Sequence, residues 1–166
     1  GLWLIQQLRE DFALAGRDYG FADIQAMAIE APAFRGLIHP DDSVFYPPGG
    51  MAARVARHTQ GEPGTRAEES AGALFRRVYE SLAMQYRWAL SSIETLLDRR
   101  FSAISLVGGG SRDEVLCQFT ADATGLPVMA GPKDASAVGN VLVQMLARKD
   151  IKDVAQGREI VRRSFP

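Results

Sequence analysis

SLVGGGSRDEVLCQFTADATG, residues 105–125, joins a short apolar run to three consecutive glycines and then to a helical pattern. The run FSAISLV, residues 101–107, is short and largely apolar, which predicts a buried strand. From Arg112 to Thr124 the apolar residues Val115, Leu116, Phe119 and Ala123 share one helical face, with Gln118 and Asp122 on the other, and Gly125 supplies the stop. Glycine at the end of a parallel strand lets the chain turn with positive φ and lets a ligand approach where a Cβ would stand. The helix that follows directs its amides and its positive end at that place, which favours phosphate. Taken alone, the triplet fits a tight strand-to-helix turn as well as it fits a nucleotide cradle.

Two familiar glycine motifs fail here. A Walker loop ends in Gly-Lys-Ser/Thr, and the first lysine of the chain is Lys133. A dinucleotide fingerprint through Gly108 and Gly110 would put its third glycine at Asp113.

Outward from this stretch, LPVMAGP reads as a second short strand, and KDASAVGNVLVQMLARKD as a helix starting near Asp134 and Ser136, which are its expected caps. Gly139 is expected to allow close packing of that helix. Strand, helix, strand, helix predicts a βαβ unit with parallel strands. The segment VAQGREIVRRSF is helical in pattern.

The amino-terminal two thirds is helical. In LWLIQQLREDFALA, Trp3, Leu4, Gln7, Leu8, Phe12 and Leu14 form a wide, mainly apolar face. A second helix is expected over Phe21 to Glu30, ending before Pro32, and a short one over Met51 to Thr59. Between them FRGLIHPDDSVFYPPGG is irregular and long for a plain connection, the kind of segment in which function or an interface often lies. Thr65 and Glu68 fit a capping box that would open a long helix reaching about Arg99. Leu74, Phe75, Val78, Tyr79, Leu82, Tyr86, Leu90, Ile93 and Leu97 recur along it at helical steps and are expected to be core.

Composition bounds the function. With 166 residues, 46% hydrophobic and 23% charged, the chain suits a globular domain. Nineteen basic against 20 acidic residues leave a net charge of -1, so no nucleic-acid partner and no anionic membrane partner is expected. Cys117 is the only cysteine, and with His39 and His58 it leaves too few soft ligands for a zinc cluster. A reducing, cytoplasmic location is the expectation, and no apolar run approaches the roughly 20 residues that span a bilayer. Cys117 is expected to be packed, His39 exposed and Arg87 on a solvated helix face. Gln118 and Asp122, spaced i, i+4, are expected on a solvated helix face, the alternative being a polar network behind the glycines. An apolar first helix with no capping residue before it, and only two strands where a sheet needs more, suggest a chain cut from a longer one.

These residues resemble the carboxy-terminal region of the FGGY family of carbohydrate kinases. The resemblance rests on GLWLIQQLRED, ESLAMQYRWAL, VGGGSRDEVLCQFTADATGLPVMAGP, DASAVGNVLVQ and GREIVRRSF, in the expected order over nearly all of the chain. It implies an α/β, helix-rich fold with few strands, part of a ribonuclease H-like domain of the actin and hexokinase type, residues 1–166 being a nucleotide-side portion truncated at its amino-terminal end. It implies ATP-dependent phosphorylation of a ketose, with L-rhamnulose to L-rhamnulose 1-phosphate as the expected reaction and Mg²⁺ beside the ATP. Carried over, Gly108, Gly109 and Gly110 pass close to the nucleotide's sugar and α-phosphate, and Ser111 and Asp113 lie near adenine. The branch of the family that these residues resemble usually carries Asn where this chain has Asp113, and an ionised Asp only accepts hydrogen bonds. The resemblance places the catalytic carboxylate, the sugar-binding residues and the phosphate loops outside this chain, so no catalytic residue and no metal ligand is assigned, and the fragment alone is expected to be inactive. The alternatives are a non-catalytic nucleotide-binding module and a helical interaction module in which the glycines only turn the chain.

Overall fold

The computed structural model describes residues 1–59 and 70–165. Seven α-helices and two short strands follow in the order α1 (Trp3–Leu14), α2 (Phe21–Glu30), α3 (Met51–Arg57), α4 (Ala71–Leu97), β1 (Ile104–Leu106), α5 (Glu114–Thr124), β2 (Val128–Ala130), α6 (Ala135–Ala147) and α7 (Val154–Ser164) among those residues. The expected capping box at Thr65 and Glu68 lies outside the described residues. The hydroxyl of Ser70 caps α4, accepting from the Ala73 amide at 3.2 Å. Asp98, with φ 47°, ends it two residues earlier than the pattern predicts.

One core forms where α1, α2, α3 and α5 pack on the first half of α4. Leu4, Ile5, Leu8 and Phe12 of α1 meet Leu74, Phe75, Val78, Tyr79 and Leu82 of α4, with Ile24, Ala28, Met51, Val55, Val115 and Leu116 closing the cluster. The stripe read as core in α4 divides in two. Its residues are buried as far as Ala83, whereas Ile93 and Leu97 are exposed, because no element among the described residues covers them. Trp3 and Leu14 are likewise exposed, and Ile5, unremarked in the sequence, is fully buried.

α2 and α4 approach unusually closely: a Cβ on Gly72 would stand 2.6 Å from the carbonyl oxygen of Met27. Polar groups of the core helices hold the irregular segment 31–50. Both Glu80 carboxylate oxygens accept from the Phe34 amide, at 3.2 and 3.0 Å, and Ser81 Oγ accepts from the Ile38 amide at 3.0 Å. Arg76 pairs with Glu80 at 2.6 Å and donates to the carbonyls of Ala28 and Ile29, closing the last turn of α2. At the other end Asp11 accepts from the Gly50 and Ala52 amides at the start of α3. The segment is thus a strap tied to α1 and α4.

β1 and β2 are parallel, in the register Ile104 to Val128, Ser105 to Met129 and Leu106 to Ala130, with α5 as the crossover. The βαβ expectation agrees with this. The expected burial of β1 does not: Ser105 is exposed and Ile104 and Leu106 are half-buried, and in β2 Met129 and Ala130 are exposed, since the described residues cover the two-stranded sheet incompletely. Expectations for α6 are also corrected. Asp134 occupies the N-cap position without a side-chain hydrogen bond, Ser136 is exposed, and a Cβ on Gly139 would meet nothing within 4 Å. Gly157 is the glycine that packs in this part, against Ile151 and Leu142. No described helix is long and apolar enough to cross a membrane.

Candidate functional site

The glycines do not run directly into α5. Residues Gly108–Arg112 form one 3-10 turn, and α5 begins only at Glu114. Each glycine has its own reason to lack a side chain. Gly108 turns the chain off β1 with φ +80°, a conformation L side chains rarely adopt. Gly110 faces inward, where a Cβ would stand 3.0 Å from Leu106 Cδ2. Gly109 faces open space, with nothing within 4 Å of the place its Cβ would occupy. The middle glycine is therefore the one whose backbone is left uncovered.

The turn is anchored on three sides. The Gly108 amide donates to the Pro132 carbonyl at 3.1 Å, and the Gly131 amide to the Leu106 carbonyl at 2.8 Å, so the loop after β2 flanks the glycines. Ser111 Oγ donates to the Gly108 carbonyl at 2.8 Å, closing the turn on itself. Asp113, 4% exposed, donates its amide to the Gly110 carbonyl at 3.1 Å.

The carboxylate of Asp113 accepts twice. Oδ1 takes the Leu116 amide at 3.0 Å as the N-cap of α5, and Oδ2 takes the hydroxyl of Tyr79 at 2.6 Å. The positive end of α5, which the sequence pattern offers to phosphate, is therefore met by a carboxylate of the chain itself. Burial first, then the bond to Asp113 and its charge, push the Tyr79 phenol far above its usual range, so it remains a donor. Tyr79 was missed in the sequence because its spacing put it in an apolar stripe; its hydroxyl was the available signal.

Of the five residues expected at a nucleotide site, Gly108, Gly109, Gly110 and Ser111 lie in the turn and Asp113 is the N-cap of α5 that follows it. Cys117 is half-buried, and its thiol is pushed up by burial and then by the Asp113 and Glu114 carboxylates, which makes it a poor nucleophile. His39 and Arg87 are exposed, and Gln118 donates to Asp122 at 2.8 Å on the outer face of α5. A groove of about 260 Å³ between α4 and α5, walled by Phe34, Arg76, Glu80 and Phe119, lies apart from the glycines. Among the described residues no group of three or more His, Cys, Asp or Glu is placed to hold a metal ion.

β1, the glycine turn, α5 and β2 make a βαβ unit in which the turn lies at the carboxyl end of a parallel strand. The family model for the C-terminal domain of the FGGY family of carbohydrate kinases matches residues 1–148, and the chain belongs to that family. Its helix-rich body with a small parallel sheet accords with the C-terminal domain of an actin and hexokinase type ATPase fold. Among individual proteins, the chain is similar to the rhamnulokinase of Bacteroides thetaiotaomicron, 36% identical over 168 residues, and to that of Oceanobacillus iheyensis, 36% identical over 165 residues. It is 34% identical over 166 residues to the rhamnulokinase of Bacillus subtilis. These alignments cover 100%, 99% and 100% of this chain but 33%, 34% and 33% of the relatives, so the chain spans about a third of the length of the curated relatives it matches.

Proposed function

We propose that this chain supplies the adenosine-binding side of a kinase that transfers the γ-phosphoryl group of ATP to a ketose, converting L-rhamnulose to L-rhamnulose 1-phosphate. The observation that carries the reading is the open face of Gly109 in a turn held by hydrogen bonds to its neighbours, within a chain similar along its whole length to rhamnulokinases. In this reading the nucleotide's sugar and α-phosphate lie along Gly108, Gly109 and Gly110, where backbone replaces side chain and approach is unhindered. Ser111 and Asp113 lie toward adenine. Asp113 acts from beneath the turn, since both its oxygens already accept hydrogen bonds.

Phosphoryl transfer depends on positioning and on neutralising phosphate charge. Bound Mg²⁺ supplies part of that neutralisation in such reactions, and no described residue of this chain is assigned to it. The catalytic carboxylate, the sugar site and the phosphate loops belong, in this reading, to an amino-terminal part of the protein, and residues 1–166 are the nucleotide-side portion of its carboxy-terminal domain. A reducing, cytoplasmic compartment suits a chain whose only cysteine is Cys117.

The test is a coupled assay of ADP release by the full-length protein with L-rhamnulose and ATP, with the 166-residue chain run alongside. Sugar-dependent ADP release by the former and none by the latter is the expected result. Nucleotide binding without turnover on any ketose would replace the kinase by a non-catalytic binding module.

A further inference from the structure

We propose that Tyr79 is a positioning residue for ATP: through Asp113 it ties the glycine turn to the core helix α4 and so sets the geometry in which the turn meets the nucleotide. The inference rests on the reading of that turn as the nucleotide site.

Tyr79 stands in the buried half of α4, between Phe75, Val78 and Leu82, and is 0% exposed. Packing alone would be served by phenylalanine, and a buried hydroxyl costs stability unless it is bonded. Here it is bonded at 2.6 Å to Asp113, which lies 34 residues further along the chain. The ring is held as well, edge-on to Phe119 of α5 with centroids 6.4 Å apart. The linkage then runs through a few short bonds to the open face. Asp113 donates its amide to the Gly110 carbonyl, and the Gly108 carbonyl at the start of the turn accepts from Ser111. Asp113 also caps α5 through its other oxygen, so one carboxylate couples core helix, crossover helix and turn. Removing the Tyr79 hydroxyl leaves a buried carboxylate oxygen without that donor, and the relaxation open to it is a shift of the turn.

The experiment uses the full-length protein with Tyr79→Phe. ATP affinity is measured by calorimetry, the KM for ATP and for sugar by steady-state kinetics, and the melting temperature alongside. The expected result is ATP affinity weakened roughly tenfold, about 1.4 kcal/mol, with the KM for sugar at saturating ATP unchanged. A lowered melting temperature with ATP affinity equal to the wild type overturns the inference and leaves Tyr79 a core residue only. Should Tyr79→Phe fail to fold, Asp113→Ser keeps a short hydroxyl able to cap α5 but cannot span to Tyr79. ATP and ITP binding weakened alike, with an unchanged KM for sugar, supports the tether, whereas wild-type ATP affinity, or a loss confined to ATP, overturns it. A wild-type protein that binds no ATP removes the nucleotide site itself, an outcome distinct from a variant that binds as the wild type does.

Discussion

Gly72 of α4 lies against the backbone of Met27 in α2, where a Cβ would stand 2.6 Å from the carbonyl oxygen and 3.1 Å from the carbonyl carbon. The obstacle is main chain, which cannot rotate aside. Gly72→Ala should therefore destabilise the protein by about 1–3 kcal/mol, the usual cost of overpacking, although alanine favours helix. An unchanged denaturant midpoint would show that the two helices can separate without loss.

Glu80 is 4% exposed and serves Phe34 and Arg76 together. Phe34 holds φ 52°, in the left-handed region, and its amide donates to this carboxylate. Breaking a buried pair by removing one partner costs about 3–5 kcal/mol. Glu80→Ala should approach that loss in urea unfolding. Glu80→Gln, which keeps an acceptor oxygen, should lose distinctly less.

Gly108 and Gly109 should separate stability from binding. Gly108→Ala forces a side chain into φ +80° and should cost about 1–2 kcal/mol in thermal or chemical unfolding. Gly109→Val places its side chain in open space, so the melting temperature should hold while ATP affinity falls on the order of tenfold, about 1.4 kcal/mol by calorimetry. Equal ATP affinity in the valine variant would remove the middle glycine from the nucleotide site.

Cys117 tests the electrostatics behind the turn. Burial and the carboxylates of Asp113 and Glu114 hold its thiol above the ordinary cysteine value, and only the thiolate is nucleophilic. Alkylation by iodoacetamide at pH 8 should be slower than for a free thiol, and its rate should rise toward a higher apparent pKa. Reaction at the rate of free cysteine would mean the thiol is more open than its surroundings indicate.

Periodicity made the helices legible: α2 runs Phe21–Glu30 as the pattern predicts, and α5, β1, β2 and α6 fall within the expected stretches. Periodicity reports one apolar side of a helix, not whether anything covers it, and so it overestimated the burial of Trp3, Leu14, Ile93 and Leu97, as the apolar run 101–107 did that of β1. The glycine turn was legible because positive φ and open approach both select glycine. Its anchoring was not, since the bond from Tyr79 to Asp113 spans 34 residues and joins a position read as apolar to one read as a ligand contact. Gly72 and Gly139 show the same limit. Neither interrupts its helix, yet one sits at a main-chain crossing and the other meets nothing.

α4 runs 27 residues, about 40 Å, but is enclosed only along its first half. Its backbone hydrogen bonds should therefore open on two schedules. Amide protons around Phe75 to Leu82 should exchange with solvent only when the whole core unfolds, whereas those beyond Trp88, where Leu96 is 84% exposed, should exchange through local fraying in the isolated chain. A protection profile that stayed flat to Leu97 would mean the helix opens as one cooperative unit. A stepped one would locate, along a single helix, the edge of what this chain can stabilise by itself.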